Sequence, residues 1–201
     1  MAPKNTPSIK KILIINGHPD TSSFCGSIAN QYAETAQSLG HSVEVLHLGD
    51  MRFEISLKAA YKQIQPLEPD LQSAWVLMKD SQHLVFVFPI WWGGMPALLK
   101  GFFDRILLPG KAFKYRPGTN RCDGLLAGRS AEVFTTMDTP PWYYRWAQFE
   151  PAHRQIRHMI LGFCGIKPVR ITPLGAVRGA DEAQRKAWLS QVAKQAQSAL
   201  A

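Results

Sequence analysis

The run Leu84-Val-Phe-Val-Phe88, bulky and apolar without a break and stopped by Pro89, constrains this chain more than any other feature. A half-exposed strand alternates apolar and polar residues, so an unbroken run reads as a strand covered on both faces. Lys11-Ile-Leu-Ile-Ile-Asn16 repeats the pattern and ends at Gly17. Strands of this kind belong to parallel sheets, whose neighbours are joined by crossover connections.

The rest of the chain supplies the crossovers. Ile28, Tyr32, Ala36 and Leu39 recur at helical spacing and Gly40 closes the segment as a helix C-cap. Val43 to Leu48 is a second strand, and a loop over residues 49–68 leads into a helix from about Asp70 to Lys79. Pro96 opens a helix carrying Leu98, Phe102 and Ile106, and a long Pro, Gly and Arg-rich loop is expected from Pro109 to Gly128. Ala131 to Thr135 reads as a fourth strand, and Thr136 to Gln148 as a loop. A helix from about Pro151 to Phe163, a weaker strand from Val169 to Pro173 and a closing helix marked by Trp188, Val192 and Ala196 complete the pattern. Five strands alternating with helices give an α/β doubly wound sheet in one domain over residues 1–201, with 1–9 flexible. The economical strand order is 2-1-3-4-5, which places ligands at the carboxyl ends of strands one, three and four.

Composition excludes other classes. The 201 residues are 46% hydrophobic and 19% charged, far from a disordered chain. The apolar stretch Leu84 to Trp92 is half the length of a membrane span, so none is expected. Cys25, Cys122 and Cys164 form neither a C-x-x-C nor a zinc pattern, and an odd count of thiols suits the reducing cytoplasm. No export signal is visible. The 23 Lys and Arg against 15 Asp and Glu leave a formal +8, yet no helix-turn-helix, zinc finger or RNP-like strand accompanies it, so no nucleic-acid partner is expected. A phosphoryl-accepting receiver needs carboxylates at the ends of strands one and three; Asn16-Gly-His18 and Pro89-Ile90 offer none. A hydrolase elbow G-x-S-x-G is missing. His153 and His158, five apart on a helix, point in different directions and cannot share a metal.

Three strand ends remain. Asn16-Gly-His-Pro-Asp-Thr-Ser-Ser-Phe-Cys25 opens into the first helix, whose free amides and dipole suit a phosphate, with Ser22, Ser23 and His18 adding polar contacts; capping by Ser22 or Ser23 explains the loop equally well. It has neither G-x-G-x-x-G nor the Gly-Lys-Ser/Thr of a P-loop. Pro89-Ile-Trp-Trp-Gly-Gly-Met-Pro96 combines close backbone approach with planar aromatic surface, fitting an aromatic cofactor, unless Trp91 and Trp92 merely plug the sheet end. Thr135-Thr-Met-Asp-Thr-Pro-Pro-Trp-Tyr-Tyr-Arg-Trp146 adds hydroxyls, a Tyr pair and Arg145. Lys111, Lys114, Arg116, Arg121, Arg145, Arg154 and Arg157 fall on or near the expected ligand side, a field favouring a phosphorylated nicotinamide, although each taken singly reads as solvated surface.

The strings H-P-x-x-x-S-F-C, F-P-I-W-W-G-G-M-P-A-L-L-K-G-F-F-D-R and G-F-C-G-I-K-P give the chain, over residues 10 to 195, a resemblance to the flavodoxin-like NAD(P)H dehydrogenase (quinone) family. The resemblance implies a flavodoxin-like sheet and a flavin, FAD or alternatively FMN, with its phosphate near His18, Ser23, Phe24 and Cys25. It implies an isoalloxazine lined by Pro89, Ile90, Trp91, Trp92 and Gly93, and touched by Thr135, Thr136, Met137 and Asp138. It further implies two-electron hydride transfer from NAD(P)H to a quinone-like acceptor, a homodimer with Trp142, Tyr144 and Trp146 in contact, and Tyr143 as the assisting tyrosine. Three departures stand out: Cys25 replaces an Asn, Met137-Asp138 replaces a Gly-Gly pair, and the partner His falls at Phe149, leaving His153 as its substitute. A non-enzymatic flavin carrier or regulatory subunit is the alternative; the basic charge argues for the enzyme.

Overall fold

The computed structural model describes residues 9–58, 60 and 62–200. Of the segment expected to be flexible, residues 1–8 lie outside this range, and Ile9 is exposed. In chain order the elements are β1 (Lys11–Asn16), α1 (Phe24–Ser38), β2 (Ser42–His47), α2 (Pro69–Asp80), β3 (His83–Pro89), α3 (Ala97–Ile106), β4 (Phe113–Tyr115), β5 (Cys122–Gly124), β6 (Ser130–Met137), α4 (Pro141–Trp146), α5 (Pro151–Arg154), β7 (Val169–Gly175) and α6 (Glu182–Leu200).

Five strands pair in parallel in the order β2-β1-β3-β6-β7, the expected doubly wound arrangement. The two apolar runs are central strands, and their residues divide by parity, as a period of two requires. Leu13, Ile15, Leu84, Phe86 and Phe88 join Leu71, Met78, Leu99, Phe102 and Ile106 on the side of α2 and α3. Ile12, Ile14, Val85 and Val87 join Ile28, Tyr32, Val192 and Ala196 on the side of α1 and α6. Every residue of β3 is buried.

Three expectations need correction. The loop from Pro109 to Gly128 contains the antiparallel hairpin β4–β5, with Phe113 opposite Gly124 and packed at 4.9 Å on Phe163. Three-residue strands are too short to show alternation among Pro and Gly signals. The loop from Thr136 to Gln148 contains α4, begun by Pro141 at its first turn; its aromatic residues, weak helix formers, hid it. Helix 151–163 is α-helical for one turn only and widens into a π-helix over Gln155–Leu161, closed by Gly162 N donating to Arg157 O.

Candidate active site

The carboxyl ends of β1, β3 and β6 converge on a cleft of about 620 Å³. Its first wall follows β1. Asn16 is fully buried, and its Oδ1 accepts from His18 N at 3.1 Å, fixing the start of the loop. His18 Nδ1 lies 2.9 Å from the Asp20 amide nitrogen and 3.0 Å from the Asp20 carbonyl oxygen, so the ring of this cleft-lining residue is tied to the loop through Nδ1, and its Nε2 has no partner among the described residues. Asp20 accepts from both the hydroxyl and the amide of Ser22, bonds that hold its carboxyl below the usual range and employ Ser22 inside the loop. Ser22 therefore does not line the cleft as expected.

Ser23 caps α1, accepting from Gly26 N at 3.4 Å. Gly26 must lack a side chain, because a Cβ there would lie 1.9 Å from Thr21 O. Capping leaves donors free for an anion: Ser23, Phe24 and Cys25 line the cleft, and the Phe24 and Cys25 amides have no acceptor among the described residues. Cys25 Sγ lies 3.3 Å from Thr136 Oγ1, and burial pushes its pKa up to about 11.

The second wall follows β3: Pro89, Ile90, Trp91, Trp92 and Gly93 all line the cleft. The ends of its turn are tied by Trp91 N to Gly94 O at 3.0 Å and Gly94 N to Trp91 O at 2.9 Å. Trp92 (φ +51°) and Gly93 (φ +73°) are successive left-handed residues, and their amides have no partner among the described residues. Trp91 is half-exposed and Trp92 fully exposed, so the tryptophans do not plug the sheet end.

The third wall follows β6. Thr136, Met137 and Asp138 line the cleft as expected, joined by Thr139. Thr135 is the exception: strand alternation turns its side chain away, and its Oγ1 lies 2.9 Å from His153 Nε2. Asp138 accepts from Arg178 N at 3.1 Å and pairs with its guanidinium at 3.3 Å, bringing the loop after β7, with Val177, to the rim.

Both residues expected to act on substrate are placed elsewhere. Tyr143 is not among the lining residues; it is half-exposed with its ring edge-on to Trp142. His153 is 3% exposed and likewise absent from the wall. Burial lowers its pKa, against the opposing pull of Glu150, so at neutral pH it is an uncharged structural imidazole. The basic cluster is also off the wall: among the described residues no Lys or Arg lines the cleft, Arg116 pairs with Asp123, and Arg145 covers the Trp146 ring. Gln148 and Pro151, which follow α4, also line the cleft, and no sequence signal marks them. The arrangement offers free amides at the α1 end, apolar and aromatic walls, and two unpaired amides at the β3 turn. Those features fit a flat ring carrying a phosphorylated tail.

A family model described as flavodoxin-like fold matches residues 10–198. The chain is 30% identical over 206 residues to ribosyldihydronicotinamide dehydrogenase (quinone) of Pongo abelii, covering 90% of this chain and 88% of the relative. It is 28% identical over 198 residues to an uncharacterised NAD(P)H oxidoreductase of Haemophilus influenzae, covering 94% and 95%. Among solved structures, an FMN-dependent NADH-azoreductase of Bacillus anthracis in complex with FMN superposes with a TM-score of 0.71 at 25% identity, over 96% of this chain and all of that one.

Proposed function

Since the chain belongs to the flavodoxin-like fold family, we propose that it is a flavin-dependent oxidoreductase moving a hydride from NAD(P)H to a quinone or similar acceptor. The observation that carries this reading is the pairing, in one cleft, of free α1 amides with the unpaired Trp92 and Gly93 amides beside the apolar residues Pro89, Ile90 and Trp91. A bound flavin would supply the redox chemistry, taking the hydride from NAD(P)H and returning two electrons to a quinone that leaves with two protons as hydroquinone.

The chain's own residues bind, orient and shield. The Phe24 and Cys25 amides, with the His18 ring, would hold the phosphate at the positive end of α1. Pro89, Ile90 and Trp91 supply the apolar wall, and Thr136 to Asp138 border the ring's polar edge. The Trp92 and Gly93 amides are preorganised donors for the negative charge a reduced ring carries; the Gly94 amide is already engaged with Trp91 O. With a pKa near 11, Cys25 stays a neutral thiol and serves as packing rather than as a nucleophile.

FMN is the better reading than FAD, because none of the described residues of the 49–68 segment, which would hold an adenine, lines the cleft, and the azoreductase neighbour is FMN-dependent. Trp92, Trp142, Trp146 and Phe149, all exposed, favour a homodimer that covers them. Free Cys25, Cys122 and Cys164 suit a reducing compartment such as the cytoplasm, and no helix among the described residues is long and apolar enough to cross a membrane.

The test is a spectrum of the purified protein reconstituted with FMN. Bound-flavin absorption that bleaches on anaerobic NADPH or NADH and returns on adding a quinone is expected; a protein that stays colourless overturns the reading. Sedimentation of the same preparation is expected to give twice the chain mass, and a monomer would remove the dimer.

A further inference from the structure

Tyr144 is 1% exposed in α4, and its hydroxyl bridges the β3 turn and the start of α5, donating to Gly93 O at 2.9 Å and accepting from Ala152 N at 3.0 Å. Its ring meets His153 edge-on with 5.0 Å between centroids, and His153 is held in turn by Thr135. The receiving carbonyl belongs to the β3 turn, where Trp92 adopts a left-handed conformation unfavourable for a residue with a Cβ. Packing does not repay that strain, because the Trp92 side chain is fully exposed.

The peptide between Gly93 and Gly94 is gripped at both ends, its amide by Trp91 O and its carbonyl by the Tyr144 hydroxyl. A peptide held at both ends cannot rotate, so the preceding amides of Trp92 and Gly93 keep one direction. Release of the carbonyl leaves one grip on a strained turn. Burial raises the pKa of the Tyr144 hydroxyl, which keeps its proton and remains a donor at any working pH.

Resting on the flavin reading above, we propose that Tyr144 is a positioning residue: it acts through Gly93 to hold the Trp92 and Gly93 amides as fixed donors toward the reduced ring. Tyr143, one position earlier, has no such link to the cleft.

Tyr144→Phe keeps the ring and removes both hydrogen bonds. In the holoprotein the expected result is a more negative flavin midpoint potential and a kcat about tenfold lower, with KM for NAD(P)H unchanged. A purely structural tyrosine would move the melting temperature of the apoprotein and leave the potential alone. Fluorotyrosines of increasing acidity at position 144 preserve the shape and guard against a Tyr144→Phe protein that does not fold; the potential is expected to shift stepwise with hydroxyl acidity. A potential indifferent to the fluorotyrosine series overturns the proposal, as does a folded Tyr144→Phe protein with parental potential and kcat. A parental protein that binds no flavin fails the flavin reading itself, before any variant is compared.

Discussion

A buried histidine reports on pH through the proton it refuses. His153 is 3% exposed; burial lowers its pKa, Arg157 adds to the effect, and the Glu150 hydrogen bond and charge oppose it. Its folded pKa therefore lies below the unfolded value near 6.5. Below pH 6.5 the unfolded chain takes up a proton that the native state does not, so the contribution is whole above that pH and declines as pH falls toward the folded pKa. Melting temperatures are expected to drop between pH 7 and pH 5, and His153→Gln, whose amide can still reach Thr135, is expected to flatten the slope. His41, also lowered chiefly by burial, contributes in the same direction. An undiminished slope in His153→Gln would assign the whole effect to other groups.

At the scale of elements, the amino ends of the strands carry a polar network separate from the cleft. Tyr32 in α1 donates to Glu132 Oε2 at 2.7 Å and meets His83 Nε2 at 3.0 Å, while His83 Nδ1 lies 2.8 Å from Ser130 Oγ. All three titratable groups are buried. Tyr32→Phe leaves a carboxylate and an imidazole short of a partner, at a cost of about 1–3 kcal/mol. At about 2–4 °C per kcal/mol for a chain of this size, the melting temperature should fall by roughly 2–12 °C. Flavin content is expected to hold, because His83 and Ser130 begin the strands whose other ends form the cleft; a matching loss of flavin would mean that the two ends of the sheet are coupled. The same elements show why some features were legible in the sequence and others not. Central strands declare themselves through unbroken apolar runs, and every expected cofactor contact around their carboxyl ends except Ser22 and Thr135 lines the cleft. Thr135 was misassigned because residue types alone do not say which of two adjacent threonines a strand turns inward; β6 turns Thr135 toward His153 and Thr136 toward Cys25. Tyr143 and Tyr144 pose the same problem on a helix: with α4 read as loop, no helical phase separated the exposed ring from the buried one.

For the whole molecule, a parallel sheet gathers its strand ends on one side, and the groups left unpaired there make the ligand a thermodynamic part of the fold. Phe24, Cys25, Trp92 and Gly93, whose amides are free, line an open cleft of about 620 Å³ that has no Lys or Arg among its described lining residues. On the proposed reading, a phosphate seated there would be held by backbone donors and the α1 dipole rather than by a side-chain cation. A ligand that binds only the native state stabilises it by about 2.7 kcal/mol at a hundred times its dissociation constant, which is worth roughly 5–10 °C in melting temperature. Stripping the flavin should lower the melting temperature by that amount, and adding FMN back should restore it with a logarithmic dependence on concentration. Riboflavin presents the same ring without the phosphate, so at equal concentration its shift should be clearly smaller. Equal shifts from FMN and riboflavin would show that the start of α1 holds nothing, and the ring alone would then have to account for binding.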